Sequence, residues 1–444
     1  MPGVPSGRGC DACRQVKKKC DQSSPSCSRC TRLGISCVGS GLRRYKFIPA
    51  PERESQEPGP VEESAQSCAN KSALALSPIS PLPSNQHTQD LSNLISALQV
   101  TDVRFDLRIF GPFVPDIPRR LGRSQALDAS VHALVVAFPS VHTRQFTPEM
   151  YKSYGEAIRH LRTALADSSA VSLPETLCAV YLVMICQGWI GRGGDFFPSH
   201  GEAMAHMINA AAARRDWMGE FEAEIVNTLL IIVLIESFAN HKINLDPRLW
   251  ESSPDSPPIP RPPQPRVTNI ECLKPSSLAA VSGFIRNIQG NLSEILSMHQ
   301  TLQGDLVKMK NLLAGMASKS SRQLSLGERR TQVRWQTGYG FLLLLGMLAN
   351  WALTAYGLGD AIALGAERDM LVDEVAELAK QAEQYRPLGS SAMPGFIVAA
   401  KMMTQDPSKL ELLEKLLASY RSDFPVSLAE LKRDGSYGGR SACP

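Results

Sequence analysis

Beyond residue 100, hydrophobic positions recur every three or four residues, which is typical of amphipathic α-helices. Thr147-Pro148-Glu149 predicts a helix start, with threonine as the N-cap and proline in the first turn. Ser172 and Glu175 have the spacing of a capping box and predict a second start. Two stripes at helical spacing are Tyr151, Tyr154, Ile158, Leu161 and Leu165, and Leu371, Val375, Leu378, Ala382 and Tyr385 before Pro387. Alternating strand patterns are scarce, so we expect an all-α domain of roughly a dozen helices over residues 101–435.

Two segments of this body allow a second interpretation. Apolar residues from Val281 to Met316 follow strict 4-3 spacing, interrupted only by His299. Gly290, Gly304 and the scarcity of flanking charges favour one long core helix over a coiled-coil dimer. The second segment, residues 335–359, has no charged residue and is long enough to cross a bilayer. Its five glycines and its polar side chains favour a buried helix, so we expect no membrane partner.

Proline marks the breaks between these regions. Residues 48–100 are predicted to be a flexible linker, because positions 49–89 are rich in Pro, Ser, Glu and Gln and have little periodicity. Residues 251–267 are predicted to be a proline-rich loop that interrupts the helical body. The remaining segment, residues 1–47, is expected to be a separate small domain.

Six of the eleven cysteines lie in that segment and read C-x2-C-x6-C-x6-C-x2-C-x6-C. They are Cys10, Cys13, Cys20, Cys27, Cys30 and Cys37. The unit C-x2-C-x6-C occurs twice, so the segment is an internal pseudo-repeat. No apolar leader precedes Cys10, so we expect a reducing compartment and metal rather than disulfides. No histidine lies in residues 1–86, which excludes a mixed Cys/His finger.

The number of thiolates limits how the metal ions can be bound. Structural zinc takes four ligands in a tetrahedron, so two separate ions would need about eight thiolates. Six are sufficient if two of them bridge both Zn²⁺ ions. A segment of this size buries too little apolar surface to fold alone, so it should be unfolded without metal and folded with it.

The same segment is strongly basic. Residues 1–48 contain ten Lys or Arg against two Asp, a net charge of +8 on a chain of net charge +4. A basic head on a mildly acidic body indicates a polyanionic partner. If Cys13 to Lys19 is one short helix whose cysteines face metal, Lys17 and its neighbours must point outward. They could then contact a partner or simply be solvated.

Residues 10–37 resemble the DNA-binding domain of the fungal binuclear zinc-cluster transcription factors. The resemblance rests on the cysteine spacing, on Pro25 and on the stretch "CRQVKKKC". It implies that Cys10 and Cys27 are the bridging ligands, that CGG-like triplets are recognised in the major groove, and that Lys17 contacts bases. Val16 departs from the family, which more often has a basic residue there.

Residues from about 105 to 425 resemble the helical regulatory region of the same family. The stretches that carry this resemblance are "FGPFVPDIPRRLG", "YGEAIRHLRTAL", "ETLCAVYLVMICQGW" and "YRPLGSSAMPG". In the family such regions control activity through ligands or partner proteins, so an unidentified effector or co-regulator is expected here.

Together these patterns predict a nuclear, sequence-specific DNA-binding regulator of RNA polymerase II transcription. The expected DNA contacts are Lys17, Lys18, Arg14, Lys19, Arg29, Arg32, Arg43 and Arg44. One triplet carries too little discrimination for a genome, which favours either two half-sites and a homodimer on double-stranded DNA or a second contact region at residues 39–47. No catalytic constellation is found, so we do not expect an enzyme. The alternative is a zinc-dependent protein-interaction adaptor whose lysines contact acidic protein surfaces.

Overall fold

The computed structural model describes residues 9–23, 25–38, 85–190, 200–214, 217, 219–250, 270–317 and 324–424. The chain divides into two units, residues 1–79 and residues 80–444. Most of the expected linker, the proline-rich loop at 251–267, and Arg43 and Arg44 lie outside the described residues.

The N-terminal unit contains two short helices, α1 (Asp11–Gln15) and α2 (Ser28–Leu33). The single helix considered from Cys13 to Lys19 does not form, because α1 ends at Gln15. Lys17 then adopts the left-handed conformation, with φ of 51°. The Lys18 N–H donates to the Cys13 carbonyl at 2.9 Å and closes the turn.

The second unit is helical, and no strand occurs among its described residues, which confirms the predicted fold class. Its helices are α3 (Gln86–Leu98), α4 (Gln125–Thr143), α5 (Pro148–Ala166), α6 (Pro174–Trp189), α7 (His200–Arg214), α8 (Glu220–Glu236), α9 (Pro275–Arg286), α10 (Leu292–Ala317), α11 (Leu326–Ala355), α12 (Ala361–Ala382), α13 (Met393–Met403) and α14 (Pro407–Arg421). Short 3₁₀ segments join several of them, including Val103–Phe105, Leu107–Phe110 and Val114–Arg120.

Side-chain caps and prolines begin many of these helices. Thr147 caps α5 and Pro148 is its first residue, as predicted. The capping box predicted at Ser172 is wrong: α6 begins at Pro174 without a side-chain cap, and Glu175 is buried in an ion pair with Arg120 at 3.2 Å. A capping box is present instead at Ser325, which exchanges hydrogen bonds with Glu328 at the start of α11.

Helix α3 lies within the segment that we expected to be linker. Asn85 accepts the Thr88 N–H and caps the helix, and Leu94 and Leu98 are buried where α3 packs on α4. The helical body therefore begins before residue 101. The polar sequence around residue 86 concealed the helix, because only one face of α3 is apolar.

One apolar core extends from α3 to α14. Helix α4 packs against α3, α5 and α6, and α11 packs against α10, α12 and α13. The core joins these two groups without a break, so the second unit folds around one continuous hydrophobic centre.

The 4-3 stripe from Val281 to Met316 does not form the single long helix that we predicted. It is divided between α9 and α10 by residues 287–291, where the Asn287 side chain accepts the Gly290 N–H at 3.1 Å. Leu302 and Leu306 are buried where α10 packs on α11. The stripe is therefore used for packing within the chain.

Helix α11 is the only described helix that is long and apolar enough to cross a membrane. Its apolar segment is mostly buried within the unit, and Asn350 donates to the Leu364 carbonyl at 2.9 Å. This is the packing expected of a core helix, as the polar residues and glycines of the segment predicted.

Candidate metal centre and nucleic-acid interface

The two short helices of the N-terminal unit position the cysteines. Cys10 and Cys13 flank the start of α1, and Cys27 and Cys30 occupy the same places on α2. The Cys27 sulfur accepts the Cys30 N–H at 3.5 Å, so a metal-ligating atom is also the helix cap. The remaining pair, Cys20 and Cys37, reaches the cluster from the segments after each helix.

The sequence pseudo-repeat is also a structural repeat. The Cys10 N–H donates to the Cys20 sulfur at 3.5 Å, and the Cys27 N–H donates to the Cys37 sulfur at 3.3 Å. After each helix the chain turns through a left-handed residue. That residue is Lys17 in the first half and Gly34, with φ of 64°, in the second.

Distances between the sulfurs test whether these residues fit zinc. Cys10 Sγ lies 3.7 Å from Cys27 Sγ and 3.5 Å from Cys30 Sγ, and Cys13 Sγ lies 3.8 Å from Cys27 Sγ. A Zn–S bond of about 2.3 Å in a tetrahedron places neighbouring sulfurs about 3.8 Å apart. A disulfide would require about 2.05 Å. The sulfurs therefore fit a tetrahedral zinc site.

The six sulfurs form two groups of four whose ligand atoms all lie within 4.8 Å of one another. One group is Cys10, Cys13, Cys20 and Cys27, and the other is Cys10, Cys27, Cys30 and Cys37. The groups share Cys10 and Cys27. Four of the six cysteines, including both shared ones, are fully buried.

The pKa values of the two shared cysteines, Cys10 and Cys27, are shifted in the opposite direction from those of Cys13 and Cys30. A hydrogen bond from the Cys13 N–H lowers the pKa of Cys10, and a hydrogen bond from the Cys30 N–H lowers the pKa of Cys27. Burial raises the pKa of Cys13 to about 11 and also raises the pKa of Cys30. Bound metal would keep all six as thiolates, so the charge of the metal has to offset the cost of burial.

An aspartate that the sequence reasoning missed supports the second helix. Asp21 accepts the Ser28 N–H at 3.2 Å and the Ser23 hydroxyl at 2.5 Å. These hydrogen bonds lower the pKa of Asp21 to about 2, and the bond from the Ser23 hydroxyl has the largest effect. Asp21 therefore stays ionised and holds the loop between the two repeats against the start of α2.

The predicted DNA-contacting cations occupy different environments. Lys17, Lys18 and Lys19 are exposed, and Arg32 is exposed on α2. The guanidinium of Arg29 instead approaches the Cys13 sulfur at 3.9 Å, so this side chain is directed toward the cluster. Arg14 lies in α1, but its side chain is outside the described part of the structure.

Apolar side chains are also exposed on this unit. Leu33, which is 50% exposed, and Ile35 belong to the second repeat, and Val38, which is 51% exposed, follows its last cysteine. Val16, 51% exposed, follows α1. The first repeat thus presents three lysines to solvent at positions where the second presents glycine, isoleucine and serine.

Comparison with known proteins identifies the class of this unit. Residues 8–46 match the Fungal Zn(2)-Cys(6) binuclear cluster domain, so this segment is a zinc-binding domain of that family. A segment of 57 residues is 42% identical to "Transcription factor pgmR" from Aspergillus terreus. It covers 13% of this chain and 29% of that relative, so the chain spans less than a third of the relative's length. None of the solved structures matches this chain.

Proposed function

We propose that this chain is a nuclear, sequence-specific DNA-binding regulator of RNA polymerase II transcription. The observation that carries the proposal is the pair of four-sulfur groups sharing Cys10 and Cys27, beside three exposed lysines. The similarity of a 57-residue segment of this chain to a transcription factor supports it.

Two zinc ions per chain fit this centre. The first would be held by Cys10, Cys13, Cys20 and Cys27, and the second by Cys10, Cys27, Cys30 and Cys37. When bound, zinc supplies the tetrahedral bonds that fold the segment. Metal analysis of the purified full chain tests the stoichiometry: two zincs are expected, and one zinc per chain would contradict the bridging role of Cys10 and Cys27.

Lys17 is proposed as the base-reading residue, with CGG-like triplets as its target. Lys17 is exposed in the left-handed turn that follows the first helix, and its ammonium can donate to guanine O6 and N7. Lys18, Lys19 and Arg32 are proposed to contact phosphates, together with Arg14, Arg43 and Arg44. Arg29 is better placed to support the Cys13 thiolate than to reach DNA.

The test compares one base-reading change with one phosphate-contact change. Lys17→Ala should lower discrimination between a CGG-containing duplex and a mismatched duplex by about 1–3 kcal/mol. Arg32→Ala should weaken binding to both duplexes equally and reduce the slope of log affinity against log salt by about one. Equal behaviour of the two variants would contradict this division of roles.

A zinc-dependent protein-interaction adaptor is the second candidate, because Val16, Leu33, Ile35 and Val38 are exposed. Measurement of DNA binding at several salt concentrations separates the two functions. A regulator that reads DNA prefers CGG-containing DNA over random DNA at every salt concentration, whereas an adaptor binds both weakly and equally. Selection of bound sites from randomised DNA would also reveal whether two half-sites and a homodimer are used.

A further inference from the structure

The helical unit contains a cavity of about 220 Å³ that the proposed DNA-binding function does not use. It lies between α11, the 3₁₀ segment that ends at Phe110, and the turn before α13. Its walls include Arg108, Phe110, Arg330, Arg334, Leu388 and Ala392. Every charged side chain that lines it is an arginine.

The three arginines do not have equal partners. Arg330 donates its Nε to Asp106 at 2.5 Å, and Asp106 is only 1% exposed. Asp106 also accepts the backbone N–H of Arg108 at 3.0 Å. This carboxylate is therefore already engaged, and it neutralises one of the three positive charges.

The side chains of Arg108 and Arg334 have no ion pair or hydrogen bond within the described residues. For Arg108 the Nε atom is buried and has no hydrogen-bond partner. A guanidinium remains charged at any physiological pH, so its buried N–H groups favour an acceptor. Two of the three arginines that line the cavity, half-buried Arg108 and exposed Arg334, therefore have no carboxylate partner among the described residues.

The remaining wall is apolar. Ile109, Phe110, Val333 and Leu388 line the cavity, and two hydroxyl groups, those of Thr337 and Ser391, complete it. An apolar wall with a few convergent polar groups is typical of small-molecule sites. A volume below the roughly 300–1,000 Å³ of drug-sized sites limits the ligand to a small compound.

We propose that this cavity binds a small organic anion: a carboxylate or phosphate monoester carried on an apolar group no larger than one aromatic ring. Arg108 and Arg334 bind the anionic head, for which the guanidinium fork is geometrically suited. Phe110 and Leu388 contact the apolar body. This site is independent of the zinc centre and does not rest on the function proposed above.

The test uses the zinc-loaded full chain and four probes in calorimetric titrations. Phenylacetate and phenyl phosphate should bind saturably, at least one of them with a Kd of about 1 mM or below. Benzyl alcohol, which lacks the charge, and inorganic phosphate, which lacks the apolar body, should bind at least about tenfold more weakly. Absence of binding by both organic anions at about 10 mM would overturn the proposal. Equal binding of inorganic phosphate and phenyl phosphate would also overturn it.

Three variants locate the site. Arg108→Gln should weaken binding of the tighter-binding organic anion at least about tenfold. Ala392→Leu should abolish binding by filling the cavity without changing any charge. Arg119→Gln removes an 84% exposed arginine side chain outside the cavity and should bind like the parent. Circular dichroism and thermal melting verify folding, and if Arg108→Gln does not fold, Arg334→Gln replaces it. Parent-like binding by the folded cavity variants would refute the assignment.

Discussion

The two units of this chain are stabilised by different interactions. In the N-terminal unit, the buried side chains of the described residues are those of Cys10, Cys13, Cys27 and Cys30. Its large apolar side chains, such as Leu33 and Val38, are exposed. The helical unit instead buries one continuous apolar core from α3 to α14. We therefore expect one unit to depend on metal and the other on packing, so each should respond to a perturbation that leaves the other unchanged.

Metal removal should have the largest effect. Chelation of zinc in the full chain should unfold the N-terminal unit, because metal binding supplies on the order of 10–16 kcal/mol in comparable small zinc domains. Among the described residues of the helical unit no group of potential metal ligands is found, so the thermal transition of this unit should not move. Amide hydrogen exchange of the two units, measured with and without chelator, gives the comparison.

Two cysteine variants refine this prediction. Cys27→Ser removes a sulfur shared by both four-sulfur groups and should lose both zincs, whereas Cys20→Ser removes a sulfur that belongs to one group. The Cys20→Ser variant should retain more metal than the Cys27→Ser variant. Protection of the N-terminal amides in chelator, with no metal bound, would show that the unit has another source of stability.

A core truncation should have the second largest effect, confined to the helical unit. Leu371 on α12 is fully buried, so Leu371→Ala should lower the free energy of unfolding by about 2–5 kcal/mol. Ile362 lies on the same helix and is 82% exposed, so Ile362→Ala should change it by less than about 0.5 kcal/mol. Denaturant melts measure the difference, and zinc content should be equal in both variants. A similar cost for both would mean that α12 is not packed as described.

The same contrast explains what the sequence could predict. The metal site was predictable because cysteine spacing and tetrahedral coordination leave few arrangements of six thiolates. The end of α1 at Gln15 was not, because the left-handed turn at Lys17 depends on closing the chain around the cluster. The position of Arg29 beside Cys13 was not predictable for a similar reason, because it is a contact between the two repeats.

In the helical unit, the fold class was predictable but the boundaries were not. Periodicity identified the apolar faces, yet it could not distinguish one long helix from α9 and α10, which share one stripe across a break. Ser172 matched a capping pattern, but burial of Glu175 against Arg120 outweighed the local preference. The arginine cavity had no sequence signature, because its walls come from three distant segments.

Ionisation of Glu236 should change the free energy of unfolding of the helical unit by about 1 kcal/mol. Burial raises the pKa of Glu236 on α8 from 4.5 to about 7, although the Gly201 N–H opposes this. The folded state therefore favours the protonated acid, so the contribution of Glu236 to stability is complete below pH 4.5. It decreases as the pH rises to about 7. Partial exposure reduces the effect to about 1 kcal/mol.

Glu236→Gln should remove this loss. The free energy of unfolding of the variant, relative to that of the parent, should rise by about 1 kcal/mol from acidic to mildly alkaline pH. Denaturant melts at each pH measure this difference. Glu220→Gln removes an exposed charge at the start of the same helix, and any pH-dependent difference that it shows is subtracted. A constant difference between the Glu236→Gln variant and the parent across this range would refute the prediction.

The smallest effect concerns one backbone angle in the metal unit. Lys17 has φ of 51° where the second repeat has Gly34 with φ of 64°. A non-glycine residue is strained in this conformation, so Lys17→Gly should stabilise the zinc-bound fold by about 0.5–1 kcal/mol. Competition with a chelator in the full chain should then show a correspondingly higher midpoint.

Gly34→Ala is the matched control for this strain. A Cβ at Gly34 would meet no atom within 4 Å, so the substitution introduces the backbone cost without a steric clash. It should destabilise the fold by a similar amount, opposite in sign to Lys17→Gly. If Lys17→Gly stabilises the unit and also loses preference for CGG-containing DNA, the lysine is retained for recognition at the expense of stability. If Lys17→Gly neither stabilises the unit nor loses the preference for CGG-containing DNA, the left-handed backbone at Lys17 is not strained in order to expose a base-reading side chain.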